Sequence, residues 1–350
     1  MACQGNYKRR IGSSFNRTKM IVKEERLTTK IFSKDLEEKP TRDGFGEGIL
    51  EAAEKNEKIV ALTADLKDST RLTGFAEKYP ERFFDVGVAE QALVTIASGM
   101  ANYGKTPFVT SFAVFSPGRN WEQIRTSICL NNVPVKIIGS HAGLNVGADG
   151  ATHQALEDIS LMRVLPNMVV ISPCDSEEAK KATIETSKTK EPTYIRLTRE
   201  KFPVITTEKT PFKIGRAEIF WHSKDPQVAI IATGPMVYEA LKAAKELDKK
   251  GIETLVINCH TIKPIDSRLI LNAAKITGAL VTVEEHQIIG GLGSAVSEIL
   301  SQNFPFPIEF VGVKDSFGES GTKDQLFKKH GLTKEGIIEA VKNVIARKSS

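Results

Sequence analysis

No apolar run in this 350-residue chain approaches the roughly 20 residues that cross a bilayer, which excludes an integral membrane helix. Cysteine is scarce. Cys3, Cys129, Cys174 and Cys259 stand singly and far apart, without metal-ligand or CxxC spacing, the pattern of a reducing cytosol rather than a disulfide scaffold. Phosphate-loop motifs are missing too: there is no GxxxxGK[ST], and no GxGxxG after the first strand. Acidic residues are absent from the first 20 positions, which hold Lys8, Arg9, Arg10, Arg17 and Lys19. Those five account for the whole net charge of +5, because the rest carries 43 basic and 43 acidic residues. A body with no charge excess does not argue for nucleic acid. The tail lacks the apolar core of a secretory signal and loosely matches a transit peptide; an upstream start, with Met20 opening the protein proper, is the simpler reading.

With 41% hydrophobic and 26% charged residues the chain is neither disordered nor collagen-like, and its length suits two domains. From about Arg42 strands and helices alternate. KIVALTA, FFDVG, PFVTS, PVKIIGS, MVVISP and PTYIRL read as strands. Helices run through DGFGEGILEAAEKN, EQALVTIASGMANYG and RNWEQIRTSICLNN, with another from Ser176 that Asp175 and Glu178 would cap reciprocally. The strands are continuous apolar runs, as in a mainly parallel sheet covered on both faces. A polar, Pro-containing stretch from Glu200 to Pro211 reads as a linker. QVAIIATG, TLVINC, ALVTVEE and PIEFVGV then form a second α/β block. The expected architecture is two doubly wound, mainly parallel α/β domains: a basic extension and lead-in at 1–40, a first domain at 41–203, a linker at 204–213 and a second domain at 214–350. GGLGS at 290–294 could bind an anion at a helix N-terminus, but such glycines more often permit close helix–sheet packing. HTIKPID at 260–266 reads as a strand-to-helix connection.

Three segments carry concentrated chemistry. SHAGLNVGADGATHQ places His141, Asp149 and His153 around Gly143, Gly147 and Gly150, just after a buried strand, where open α/β sheets bind ligands. FFDVGVAEQ puts Glu90 at a strand-to-helix junction, where an acid is also favoured simply by the helix dipole. TSFAVFSPGRN sets Phe112 and Phe115 past a strand end, beside Pro117 and Gly118, where they could form a ring-sized slot.

In this order and spacing VGVAEQ, TSF, GADGATHQ with its upstream His141, and YIRLTRE resemble the transketolase family, in its C-terminal half, from Arg42 to about Ala346. The resemblance implies a pyrimidine-binding domain followed by a transketolase C-terminal domain. The family's GDG…N motif for diphosphate and Mg²⁺ is missing, so the chain looks like the C-terminal subunit of a split transketolase. It implies thiamine diphosphate as cofactor, Mg²⁺ held mainly by an N-terminal partner subunit, self-association as the core of a heterotetramer, and a cytoplasmic enzyme of pentose phosphate metabolism. Glu90 matches the glutamate that hydrogen-bonds pyrimidine N1′ and so promotes proton loss from the thiazolium C2. Such a carboxyl must be partly protonated, which calls for a buried, apolar setting. Phe112 and Phe115 match aromatics around the pyrimidine, and Asp65 an aspartate near the cofactor at the subunit interface. Arg42, Ser69, His141 and Arg199 match the residues that hold a sugar phosphate; His153 matches a contact to the reacting oxygens, and Asp149 the reader of the hydroxyl next to the aldehyde. The implied reaction moves a two-carbon ketol unit from a ketose phosphate to an aldose phosphate. Gly118 departs from the pattern: many full-length members carry Tyr there, so one pocket wall is missing or differently supplied.

Deoxyxylulose-phosphate synthase shares both domains but comes as one long chain. A 2-oxoacid dehydrogenase beta subunit has this size but no sugar-phosphate clamp. A non-catalytic assembly partner has no need of Glu90, His141, Asp149 and His153, and a stand-alone nucleotide-binding protein would carry the phosphate loops this chain lacks.

Overall fold

The runs IVALT, KIIGS and VVI are apolar along their whole length because both of their faces are covered: every residue of Ile59–Thr63, Lys136–Ser140 and Val169–Ile171 is buried. In the computed structural model, which describes residues 20–21 and 26–348, these strands belong to a seven-stranded sheet. Its spatial order is Thr261–Lys263, Val169–Ile171, Thr193–Arg196, Lys136–Ser140, Thr106–Phe112, Ile59–Thr63 and Phe83–Asp85. All neighbours are parallel except the first pair. The second sheet orders Met20–Ile21, Glu218–His222, Thr254–Asn258, Val228–Ala232, Leu280–Gln287 and Ile308–Val313, with Glu218–His222 antiparallel to both neighbours and the rest parallel. Two α/β domains with mainly parallel sheets are thus present as expected. The basic tail before Met20 lies outside the described residues.

Several local expectations change in three dimensions. Thr261–Lys263 is not a mere connection. It leaves the second domain and pairs antiparallel with Val169–Ile171, closing an edge of the first domain's sheet. The polar linker is packed: Phe202–Pro203 pairs with Glu38–Lys39, and buried Asp175 accepts from the backbone N–H groups of Ile205 and Thr206. Asp175 does cap the helix Ser176–Thr186 by accepting from Glu178 N at 2.8 Å. Glu178 does not complete the reciprocal box, because its carboxylate accepts instead from Cys174 N and from Asn258 of the second domain. At GGLGS the helix N-terminus is already filled: Glu284 accepts from Leu292 N at 2.7 Å and Gly293 N at 2.8 Å, so the packing reading holds.

The helix Thr41–Lys55 sets up the site. A Cβ on Gly44 would lie 1.8 Å from Ser176 O, so only glycine lets this helix approach Ser176–Thr186 so closely. Its first turn is fixed by a reciprocal pair, with Thr198 N donating to Thr41 Oγ1 at 2.7 Å and Thr41 N donating to Thr198 Oγ1 at 3.1 Å. That pair seats Arg42 beside Arg199.

Candidate active site

Four adjacent parallel strands end side by side, and the residues just beyond their carboxyl ends enclose a cavity of about 400 Å³. Thr193–Arg196 leads to Arg199, Lys136–Ser140 to His141, Thr106–Phe112 ends in Phe112 itself, and Ile59–Thr63 leads to Asp68, Ser69 and Arg71. Asp149 comes from the Gly-rich loop and Arg42 from the helix start. This is where an open α/β sheet offers a crevice to ligands. Six of the residues singled out in the sequence (Arg42, Ser69, Phe112, His141, Asp149 and Arg199) therefore share one wall. Asp68 and Arg71 were missed; each lies in a turn without local periodicity, and only sheet order brings it here.

Cationic groups dominate the cavity. Arg42 donates from Nη1 to Ser69 O at 3.0 Å and faces His141 Nε2 at 3.1 Å. It is thus the Ser69 carbonyl, not its hydroxyl, that Arg42 engages. An arginine N–H can only donate, so His141 Nε2 accepts and its proton sits on Nδ1, which donates to Ser140 Oγ at 2.9 Å. Burial first, then Arg42, Arg199 and Arg71, pushes the His141 imidazole down to about 3, leaving it neutral. The Arg42 Nε is buried with no partner, a free donor at the cavity wall. Arg71 pairs with Asp43, and Arg199 lies 3.4 Å from Asp149. Arginine forks beside a neutral histidine suit a phosphate or sulfonate group.

An aromatic ladder borders this cationic patch. His141 stacks on Phe112 at 3.8 Å between centroids, and Phe112 lies 5.9 Å from Phe115 at 21°. His153 meets Phe115 edge-on at 5.4 Å. At this spacing the two phenylalanines touch each other, so no ring-sized slot opens between them. The usable surface is the face of Phe115 on which Arg119 lies, its guanidinium carbon 4.1 Å from the ring centroid. A Cβ at Gly118 would sit 1.9 Å from Val114 O, so no side chain fits at this turn, and Arg119 covers the ring instead.

Glu90 begins the helix Glu90–Asn102, as the junction in the sequence indicated, and is 4% exposed. The expected apolar setting is only half met. Both carboxylate oxygens accept from Arg119 Nη1, at 3.1 and 3.0 Å, and Asn120 Nδ2 donates to the Glu90 backbone carbonyl at 2.8 Å. No sequence pattern marks Arg119, which lies in a turn without periodicity. Asp65 is exposed and outside the cavity wall; its φ of 59° is held by its own N–H donating to Asp85 Oδ1 at 2.9 Å. Among the described residues no group of three or more His, Cys, Asp or Glu is placed to hold a metal ion.

Residues 37–204 match the model of the transketolase pyrimidine-binding domain, and residues 215–337 that of the transketolase C-terminal domain. The chain belongs to the transketolase family. It corresponds to the family's C-terminal section, with the catalytic fold of those enzymes, and membership implies dependence on thiamine diphosphate. It is 42% identical over 306 residues to a putative transketolase C-terminal section of Methanocaldococcus jannaschii, covering 87% of this chain and 95% of that one. A 6-deoxy-6-sulfo-D-fructose transketolase subunit of a Clostridium species is 42% identical over 318 residues, with 91% and 98% covered. A solved structure described as a split gene transketolase, inactive beta4 tetramer, aligns at TM-score 0.80 and 42% identity, over 88% of this chain and 98% of that one.

The site fits the ring end of that cofactor on its donor set. A flat cation with N–H donors, the Arg119 guanidinium, already lies on Phe115 and against the Glu90 carboxylate. An aminopyrimidine asks for the same stacking face and, once protonated at N1′, for the same acceptor. No described helix is long and apolar enough to cross a membrane.

Proposed function

We propose that this chain is the C-terminal subunit of a two-subunit transketolase that moves a two-carbon ketol unit from a ketose phosphate to an aldose phosphate. The observation that carries the reading is the junction of two surfaces. A cavity with Arg42, Arg199 and neutral His141 adjoins the Phe112–Phe115 ladder, within reach of a buried glutamate at a helix start. The arginine end suits a sugar's terminal anion, and the ladder end suits a cofactor ring. The missing phosphate loops and the family match disfavour a nucleotide-binding role, and a cavity of this chemistry disfavours a purely structural one.

Thiamine diphosphate, when bound, supplies the carbon nucleophile and electron sink for breaking the bond beside the ketose carbonyl. In this reading Glu90 turns from Arg119 and exchanges a proton at N1′ of the pyrimidine, while Phe115 and Phe112 fix the plane of that ring. His153, edge-on to Phe115, contacts the reacting oxygens; Asp149 reads the neighbouring hydroxyl. Arg42, Arg199, Ser69 and His141 hold the terminal phosphate. Asp65 lies toward the cofactor's other subunit. The pyrimidine-binding domain takes 41–203, the linker 204–213 and the C-terminal domain 214–350.

An N-terminal partner carrying the diphosphate and Mg²⁺ site is part of the proposal, and the solved relative's description as an inactive beta tetramer supports it. Self-association is supported by exposed Phe84 on the edge strand Phe83–Asp85, Val88 in the turn after it, Ile96 on the Glu90–Asn102 helix and Tyr103 just past that helix. The sulfosugar relative makes a sulfonate the alternative anion. We place the enzyme in the cytoplasm.

The test is reconstitution. The purified chain with thiamine diphosphate and Mg²⁺ is expected to show no ketol transfer, and to gain it when the N-terminal partner is added. Within the complex, Arg199→Ala is expected to raise KM for ketose phosphates about ten- to a hundredfold, the range for a charge-assisted contact, with much less effect on hydroxypyruvate. Full activity of the chain alone would remove the split, and an equal loss on both donors would remove the anion clamp. Decarboxylation of pyruvate onto glyceraldehyde 3-phosphate in place of ketol transfer would identify a deoxyxylulose-phosphate synthase.

A further inference from the structure

The Gly-rich loop that carries Asp149 is gripped from the second domain. Asn145, wholly buried, donates from its backbone N–H to Glu285 Oε1 at 2.8 Å and from Nδ2 to both Glu285 carboxylate oxygens at 3.1 Å. Glu285 lies on the strand Leu280–Gln287 of the other sheet. The same Nδ2 donates to Ala142 O, the residue after His141. The Asn145 Oδ1 accepts from Arg199 N at 2.9 Å and Glu200 N at 3.3 Å. One amide thus joins the His141 segment, the Arg199 segment and a carboxylate of the second domain. Arg199 in turn donates to Val146 O of this loop and faces Asp149.

The arrangement is built for a carboxylate. Gly143, at φ 87°, brings its backbone so near that a Cβ would lie 2.4 Å from Glu285 Oε1. Arg196 donates to the Glu285 backbone carbonyl at 2.9 Å and to Asp158 at 2.8 Å, which sets the strand against the loop. Simple domain adhesion would not require two donor nitrogens of one loop residue converging on one carboxylate.

We propose that Glu285 is a positioning residue for the substrate site, acting through Asn145 to fix His141 and Arg199 at the spacing that holds the sugar's terminal anion. This gives the second domain a direct part in substrate recognition, and it rests on the anion-clamp reading above. A loosened Asn145 lets the two segments separate while leaving Glu90 and Phe115, to which it makes no hydrogen bond, in place.

The experiment uses the complex reconstituted with the N-terminal partner. Glu285→Gln turns an N–H donor toward the Asn145 amide. It is expected to raise KM for a ketose phosphate about tenfold, with KM for hydroxypyruvate and the affinity for thiamine diphosphate within about twofold of the parent. Asn145→Asp sets two carboxylates against each other and is expected to do the same or worse. Combined, Asn145→Asp with Glu285→Gln restores a carboxylate–amide pair in reverse, and at least half of the KM loss, on a logarithmic scale, is expected to return. The double variant keeps the test open if either single variant does not fold. Equal loss on both donors, or additive losses in the double variant, overturns the proposal. Arg199→Ala measured alongside separates the two readings: if it spares the distinction between donors, the anion clamp itself falls; if it splits the donors and Glu285→Gln does not, only the positioning role falls.

Discussion

Glu90→Gln separates a chemical role from a structural one by magnitude. The structural contribution of this carboxylate can be bounded. Its partner Arg119 is 50% exposed, so the pair is screened by solvent and contributes about 0–1 kcal/mol. An acid at the first position of a helix adds about 0.3–1 kcal/mol through the helix dipole. Together these are at most roughly 2 kcal/mol, a fall in Tm of no more than about 8 °C for domains of this size. Gln keeps the shape and one acceptor, so the actual fall should be smaller. A proton exchanged with the cofactor's N1′ is a different order of effect, worth about 10²–10⁴ in rate. The assay is hydrogen–deuterium exchange at the thiazolium C2 in the reconstituted complex, quenched in acid and read by NMR, with a melting curve on the same sample. Exchange slowed at least a hundredfold, the lower end of that range, with a nearly unchanged melting curve is the expected result. If exchange in Glu90→Gln matches the parent, Glu90 only starts a helix, and the reasoning from burial, position and acceptor geometry is wrong.

Arg119→Gln removes the cation lying on Phe115 and against Glu90, so thiamine diphosphate, titrated calorimetrically into the reconstituted complex, should bind at least as tightly as to the parent; a tenfold weaker Kd would mean that Arg119 holds the cofactor rather than standing in its place. Burial raises the Glu284 carboxyl to about 7, above the ordinary 4.5, so the folded state binds the extra proton between those values and stability falls as pH rises through this window. Glu284→Gln removes that dependence, and chemical denaturation should find the variant gaining on the parent from pH 4.5 to 7, by at most about 1.4 kcal/mol per pH unit. A flat or falling difference would show that the two N–H groups of Leu292 and Gly293 keep Glu284 ionised throughout.

Local chemistry was legible in the sequence because it obeys local rules. Apolar runs such as KIIGS and VAIIA named strands buried on both faces, since only a covered parallel sheet leaves no polar side. Glu90 at its helix start and Asp175 at its cap could be read from a few neighbouring residues. So could the candidate site residues, once their motifs stood in family order. What the tertiary structure alone decided is which of them meet. Arg42 and His141 are 99 positions apart, and they touch because two strands and a helix start share one end of a sheet. The partner of Glu90 is 29 residues away, on a turn whose tightness at Gly118 excludes any side chain, so the charge beside the carboxylate was invisible to a reading of apolar neighbours. The sequence suggested a ring-sized slot between Phe112 and Phe115, but their separation depends on backbone angles that no residue pattern encodes. The strand Thr261–Lys263 and the Glu285–Asn145 contact cross from one domain to the other. Periodicity reports which face of an element is covered, and it carries no information about what covers it.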